Sequence, residues 1–133
     1  MNNKKILGAG LVVGLLFYVI SLLIWGLSKF LPVVPLAIAI PNTALLPGWQ
    51  IEHLLVSLFI GIMWAIGFAV YGVKRDSGWL YGVIVYLVGT LPAFAVYFIT
   101  TAQWRPIILY GALVSFIGAL LGGKVMSILT ARR

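Results

Sequence analysis

The sequence predicts an all-α, polytopic integral membrane protein: a four-transmembrane-helix bundle with a proline-rich interfacial or re-entrant segment between helices one and two. Three observations carry this reading. The 133 residues are 63% hydrophobic and 8% charged, whereas an ordinary soluble domain is roughly 25% charged. A chain this short leaves much of its surface exposed, so only lipid can serve as solvent for so apolar an exterior. Four apolar runs, residues 6–28, 52–73, 79–101 and 106–128, each approach the ~20 residues that cross a ~30 Å hydrocarbon core as a helix. The basic residues between those runs fall unevenly on the two sides, as multi-pass topology requires.

The first run follows Lys4 and Lys5 and so has the outline of a signal peptide. Its apolar stretch exceeds the usual length of roughly 7–15 residues and no Ala-x-Ala site follows, so it reads as an uncleaved first helix. Residues 30–49, FLPVVPLAIAIPNTALLPGW, come next. They are too apolar for a solvated loop, yet Pro32, Pro35, Pro41 and Pro47 remove backbone donors and oppose a continuous helix. An unbroken fifth span would leave polar groups unsatisfied in lipid. The segment is expected to lie in the outer interface or to form a shielded re-entrant loop.

The second helix opens on Glu52 and His53; an acid there is favoured by the helix dipole. The third carries Pro92 near its middle, which frees the carbonyl of Val88 and predicts a kink. The fourth runs on from Pro106. With all four helices spanning, Lys4, Lys5, Lys74, Arg75, Lys124, Arg132 and Arg133 share one side and only Lys29 and Arg105 the other. That bias places both termini in the cytoplasm and the protein in the inner, cytoplasmic membrane. Trp25, Trp49 and Trp104 mark the outer interface, and Trp79, Tyr71 and Tyr81 the inner one. No internal repeat is evident, and residues 1–133 read as a single membrane domain.

The net charge of +7, nine Lys and Arg against Glu52 and Asp76, suits topology and anionic headgroups better than a nucleic acid, because the cations form no stripe with interleaved aromatics. The chain has no cysteine, which excludes disulfides and thiolate chemistry, and its one histidine excludes an intramolecular two-histidine metal site. No metal and no cofactor is therefore expected. The central spans hold no ionisable residue, against a buried-carboxylate proton-coupled transporter or a voltage sensor; the membrane-embedded glutamate of small multidrug exporters is likewise missing. Phosphate-cradling loops and nucleophile elbows are absent.

Three groups of residues remain as candidates. Glu52, His53, Gln103, Arg105 and Lys29 should meet at the outer face as a polar cluster, with His53 a conceivable proton acceptor or axial ligand; polar residues there also serve solvation alone. Tyr18, Trp64, Tyr86 and Pro92 lie at similar depth and can line an apolar, aromatic pocket at the kink for a lipid tail, quinone or apolar solute, or simply fill the space it opens. Small residues at four-residue steps form the most regular pattern. Ser57, Gly61, Ala65 and Ala69 make one ridge, Gly111, Ser115, Ala119 and Gly123 another, and Gly10 with Gly14, and Gly82, Gly89 and Ala93, shorter ones. Such ridges let backbones approach in lipid.

The function expected from these features is a small non-enzymatic integral membrane protein acting through helix–helix association, as a homo-oligomer or as an accessory or assembly subunit of a membrane complex. One alternative is an oligomeric channel or transporter for small solutes or ions, motivated by the two proline-broken regions. A second is an enzyme or cofactor carrier using the outer Glu/His/Arg cluster. The expected partners are the lipid bilayer and other membrane subunits or copies of the chain.

Overall fold

The computed structural model describes residues 3–28, 48–71 and 77–130, apart from the side chains of residues 24–28 and 103. All of its regular structure there is helical. Helix α1 spans Asn3–Ser28, α2 Trp49–Val70, α3 Gly78–Thr100 and α4 Arg105–Thr130. All four are long and apolar enough to cross a membrane. Their outward faces carry large hydrophobic side chains, among them Val88 at 75%, Ile99 at 74% and Phe59 at 64% exposure, a surface that hydrocarbon tolerates and water does not. The proline-rich segment, except Gly48 and Trp49, lies outside the described residues, as do Lys29, Lys74, Arg75, Arg132 and Arg133.

Local chemistry sets the ends. Gly48 precedes α2 with φ +84° and ψ 2°, a left-handed conformation that favours glycine. Its carbonyl accepts from the backbone N–H groups of Ile51 and Glu52 at 2.9 and 3.3 Å, so α2 starts three residues earlier than the apolar run suggests. At the end of α3, Thr100 Oγ1 donates to the Val96 carbonyl and Thr101 Oγ1 to the Tyr97 carbonyl, both at 2.8 Å. The chain then reverses through Thr101 and a 3₁₀ turn, Ala102–Trp104. Pro106 sits in the first turn of α4, where no backbone donor is missed.

The helices alternate in direction. Gly10 approaches Ile62 and Gly14 approaches Leu58 between α1 and α2, while Gly78 meets Gly123 and Ser127, and Gly82 meets Ala119, between α3 and α4. α1 also packs on α4, with Phe17 filling a notch at Gly122 and Ile20 one at Gly118. The lateral order is therefore α2–α1–α4–α3, an arc whose outer members have little backbone contact with each other. The ridges predicted around Gly10, Gly14, Gly61 and Ala65, and around Gly111, Ala119 and Gly123, are largely buried within this arc; Ala69 is half-buried. A second α4 ridge, Gly118 and Gly122, receives α1.

α3 is not uniform. Residues Tyr86–Thr90 form a π turn, in which the Leu91 N–H donates to the Tyr86 carbonyl. Pro92 lies just beyond it. Widening the turn ahead of the proline relieves the ring's clash with the preceding turn. Bonding five residues back instead of four also takes up about one extra residue, which shifts the register. A regular helix would put Gly89 on the face of Gly82. Here Thr90 takes that place, followed by Phe94 and Phe98, while Gly89 and Ala93 are exposed.

A Cβ at Gly61 would run into the backbone of Gly10 and Gly14, whereas one at Gly8 would meet nothing within 4 Å. Gly61→Val should therefore lower the stability of the solubilised protein by at least about 2 kcal/mol, and Gly8→Ala should leave it unchanged, as read from thermal unfolding in detergent.

Candidate functional site

Packing is uneven along the arc. The buried core, Ala9, Val13, Ala65, Phe68, Tyr81 and Met126, gathers in the half of the bundle that carries the chain termini. The opposite half, toward Gly48 and Arg105, holds a cavity of about 230 Å³. Every helix contributes a hydrogen-bonding side chain to it: Ser21 from α1, His53 and Ser57 from α2, Thr90 from α3 and Ser115 from α4. These are all the Ser, Thr and His residues that the described helices carry away from their end turns. Phe17, Ile20, Ile60 and Trp64 supply apolar wall.

His53 is half-buried and its Nε2 is hydrogen-bonded to Ser21 Oγ. Ser21 has one proton, and its hydroxyl gives that proton to the Tyr18 carbonyl at 2.8 Å. The ring is held further by Tyr18, with centroids 5.5 Å apart, and by Trp49 at 6.2 Å. No carboxylate, lysine or arginine lines the cavity among the described residues. Nor do three or more His, Asp or Glu gather there as a metal site. The space is thus suited to neutral groups that donate and accept hydrogen bonds.

The end of the cavity toward the termini is closed by aromatics. Phe17 packs edge-on against Trp64 with centroids 4.9 Å apart, and Trp64 against Tyr81 at 5.6 Å. Tyr81 also packs edge-on against Phe68 at 5.0 Å, and its hydroxyl donates to the Trp64 carbonyl at 2.8 Å. Gly67 makes this reach possible, since a Cβ there would come within 2.7 Å of the Tyr81 hydroxyl. This one side chain fastens α3 to α2.

The residues expected to form an outer cluster take separate places. Glu52 is exposed, whereas His53 turns inward to Ser21. Arg105 donates from Nε to the Phe98 carbonyl at 3.1 Å and lies 5.0 Å from the centroid of the Phe98 ring. Gln103 is in the 3₁₀ turn, and Lys29 is outside the described residues. Of the four residues expected at the kink pocket, only Trp64 lines the cavity. Tyr18 packs on His53; Tyr86 donates to the Ala112 carbonyl at 2.9 Å and packs edge-on against Phe116; Pro92 is exposed. Ser21 and Thr90 were not singled out in the sequence. Their signal was available as the hydroxyls furthest from the ends of apolar runs, where an unpartnered polar group is expensive.

The chain matches no protein-family model, no curated protein and no solved structure.

Tyr81→Phe removes the hydroxyl that joins α3 to the Trp64 carbonyl and should cost about 1 kcal/mol. Tyr97→Phe, at an exposed position, should cost nothing measurable in the same unfolding titration.

Proposed function

We propose that this chain is a multi-pass protein of the cytoplasmic membrane, with both termini inside, that binds a small hydrogen-bonding solute within its helix bundle. The observation that carries the reading is the convergence of Ser21, His53, Ser57, Thr90 and Ser115, one or two from each helix, on a single cavity. Hydroxyls that only stabilise packing are satisfied by their own helix. Ser127 and Thr130 do this, donating to the carbonyls of Lys124 and Met126 at 2.7 Å. Ser21 does the same toward the Tyr18 carbonyl, whereas Ser57, Thr90 and Ser115, turned with His53 to a shared space, favour a ligand or water as their partner. Such a site suits a carrier, a channel vestibule or a solute-sensing subunit.

Association with another copy or another subunit is a second reading, supported by α3. Its Leu91–Thr100 portion has no buried residue, although Gly89 and Ala93 offer small exposed positions where another helix can approach. The placement of the termini rests on the seven-to-two division of basic residues.

The native chain lacks cysteine, so single substitutions report cleanly. Thiols in hydrocarbon stay protonated and inert, whereas a thiol in a hydrated cavity reacts. Ser115→Cys should react with methyl methanethiosulfonate in membranes, and Leu113→Cys, whose native side chain is 61% exposed on the outer face of α4, should not. Equal inertness of the two would remove the solute-binding reading. A fluorescent protein fused to the C-terminus should fold and fluoresce in cells, because it remains in the cytoplasm; a fused periplasm-dependent phosphatase should be inactive.

A further inference from the structure

We infer that the ligand of the cavity is an amphiphile drawn from the bilayer, with a compact uncharged head that hydrogen-bonds beside His53 and a hydrocarbon tail that lies along α3. This inference rests on the solute-binding reading and specifies its ligand class.

The first observation is a second space, beside α3, that reaches the residue next to the cavity's Thr90. An apolar groove of about 630 Å³ follows α3, lined by Leu80, Ile84, Val85, Val88 and Gly89 and approached from α2 by Tyr71. From Ser77 to Gly89 it runs along about 18 Å of helix. Gly89 belongs to the groove and the next residue, Thr90, to the cavity; Tyr81 lines the groove while its hydroxyl contacts Trp64, which lines the cavity. The apolar space thus ends, at the π turn, one residue along the chain from the lining of the polar one.

The second observation is how the cavity is enclosed. Among the described helices α2 and α3 form the edges of the arc and have little backbone contact beyond the Tyr81 latch. Among the described residues little closes the side between them, and Ile60, which lines the cavity from α2, is 42% exposed. With the bundle in a bilayer, a ligand dissolved in lipid would enter there.

The chemistry of the walls then selects the ligand. The cavity offers neutral donors and acceptors and no charged partner, which disfavours an ion or a phosphate headgroup. Its volume equals about seven or eight waters at ~30 Å³ each, enough for one ring or a short polyol. The groove offers hydrocarbon contact alone. A carbonyl- or hydroxyl-bearing ring on an alkyl or isoprenoid chain satisfies both spaces, with the head accepting from the Thr90 and Ser115 hydroxyls beside His53.

The test uses the full chain in detergent, with native mass spectrometry to count bound molecules, and two probes: a fully ring-substituted decylbenzoquinone and the same quinone without its tail. The decyl compound should bind one to one and about tenfold or more tightly than the tailless head. Gly89 has open space around it, so Gly89→Leu should fill the groove without disturbing the fold and reduce the decyl compound to the affinity of the tailless one. Val88→Phe, at the exposed lip of the groove, provides the same test should the first variant fold poorly. Thr90→Val combined with Ser115→Ala, which removes the two hydroxyl donors, should weaken both probes, and phosphatidylglycerol should displace neither. Equal affinities for the two probes, or indifference of the decyl compound to both groove variants, overturns the inference. Absence of binding by either probe to protein whose Ser115→Cys form is reactive overturns it while leaving the solute cavity standing; an unreactive Ser115→Cys removes both.

Discussion

Helices in lipid gain nothing by hiding apolar surface from one another, so they stay together only where their backbones come close enough for dense van der Waals contact. Two glycine seams meet that requirement here. Gly10, Gly14 and Gly61 press α1 onto α2, and Gly78 and Gly82 with Ala119 and Gly123 press α3 onto α4. The two pairs are joined where Phe17 and Ile20 enter the notches at Gly122 and Gly118. Nearly all of these contacts lie in the half of the bundle that carries the termini, and the rest of the architecture follows. Beyond the π turn α3 has far less backbone contact with α4 than before it, and the cavity lies toward that looser half.

Loose packing alone makes a void; the side chains decide what fills it. An unpartnered polar group in hydrocarbon is expensive, and Ser127 and Thr130 near the end of α4 avoid that cost within their own helix. In the looser half, Ser21, Ser57, Thr90 and Ser115 face inward with His53. The same cost that makes isolated hydroxyls rare in the spans makes a converging set informative, because their mutual arrangement is maintained across four separate helices.

Much of the fold was legible in the sequence because length, hydropathy and small-residue spacing act locally. The four runs became four helices, with α2 displaced by three residues through the turn at Gly48. Gly61 and Gly123 lie at the closest backbone approaches of the two seams. The site was less legible. Depth along the membrane normal can be read from residue number, and it grouped Glu52, His53 and Arg105 as well as Tyr18, Trp64 and Tyr86. Azimuth around each helix cannot be read without knowing which helices are neighbours. With α1 between α2 and α4, His53 faces Ser21, and Arg105 remains with Phe98 at the other edge of the arc. In α3 even the helical period misleads, because the π turn exchanges Gly89 for Thr90. Pro92 marked the place of the irregularity but not its sense, since a kink and an inserted residue answer the same steric conflict.

That π turn is equivalent to a single-residue insertion in an otherwise regular helix. Excising one residue from Leu87–Gly89 would restore a regular α-helix with Thr90, Phe94 and Phe98 still on the face of Gly82. Regularising the turn at constant length would instead rotate the whole distal segment by about 100° about its axis and withdraw all three from the interior, leaving the Gly78 and Gly82 seam in place. The bundle's anchorage and the lining of its cavity are therefore separable: the turn can absorb the loss of one residue, and a substitution that lets it regularise at constant length changes the cavity without disturbing the seam.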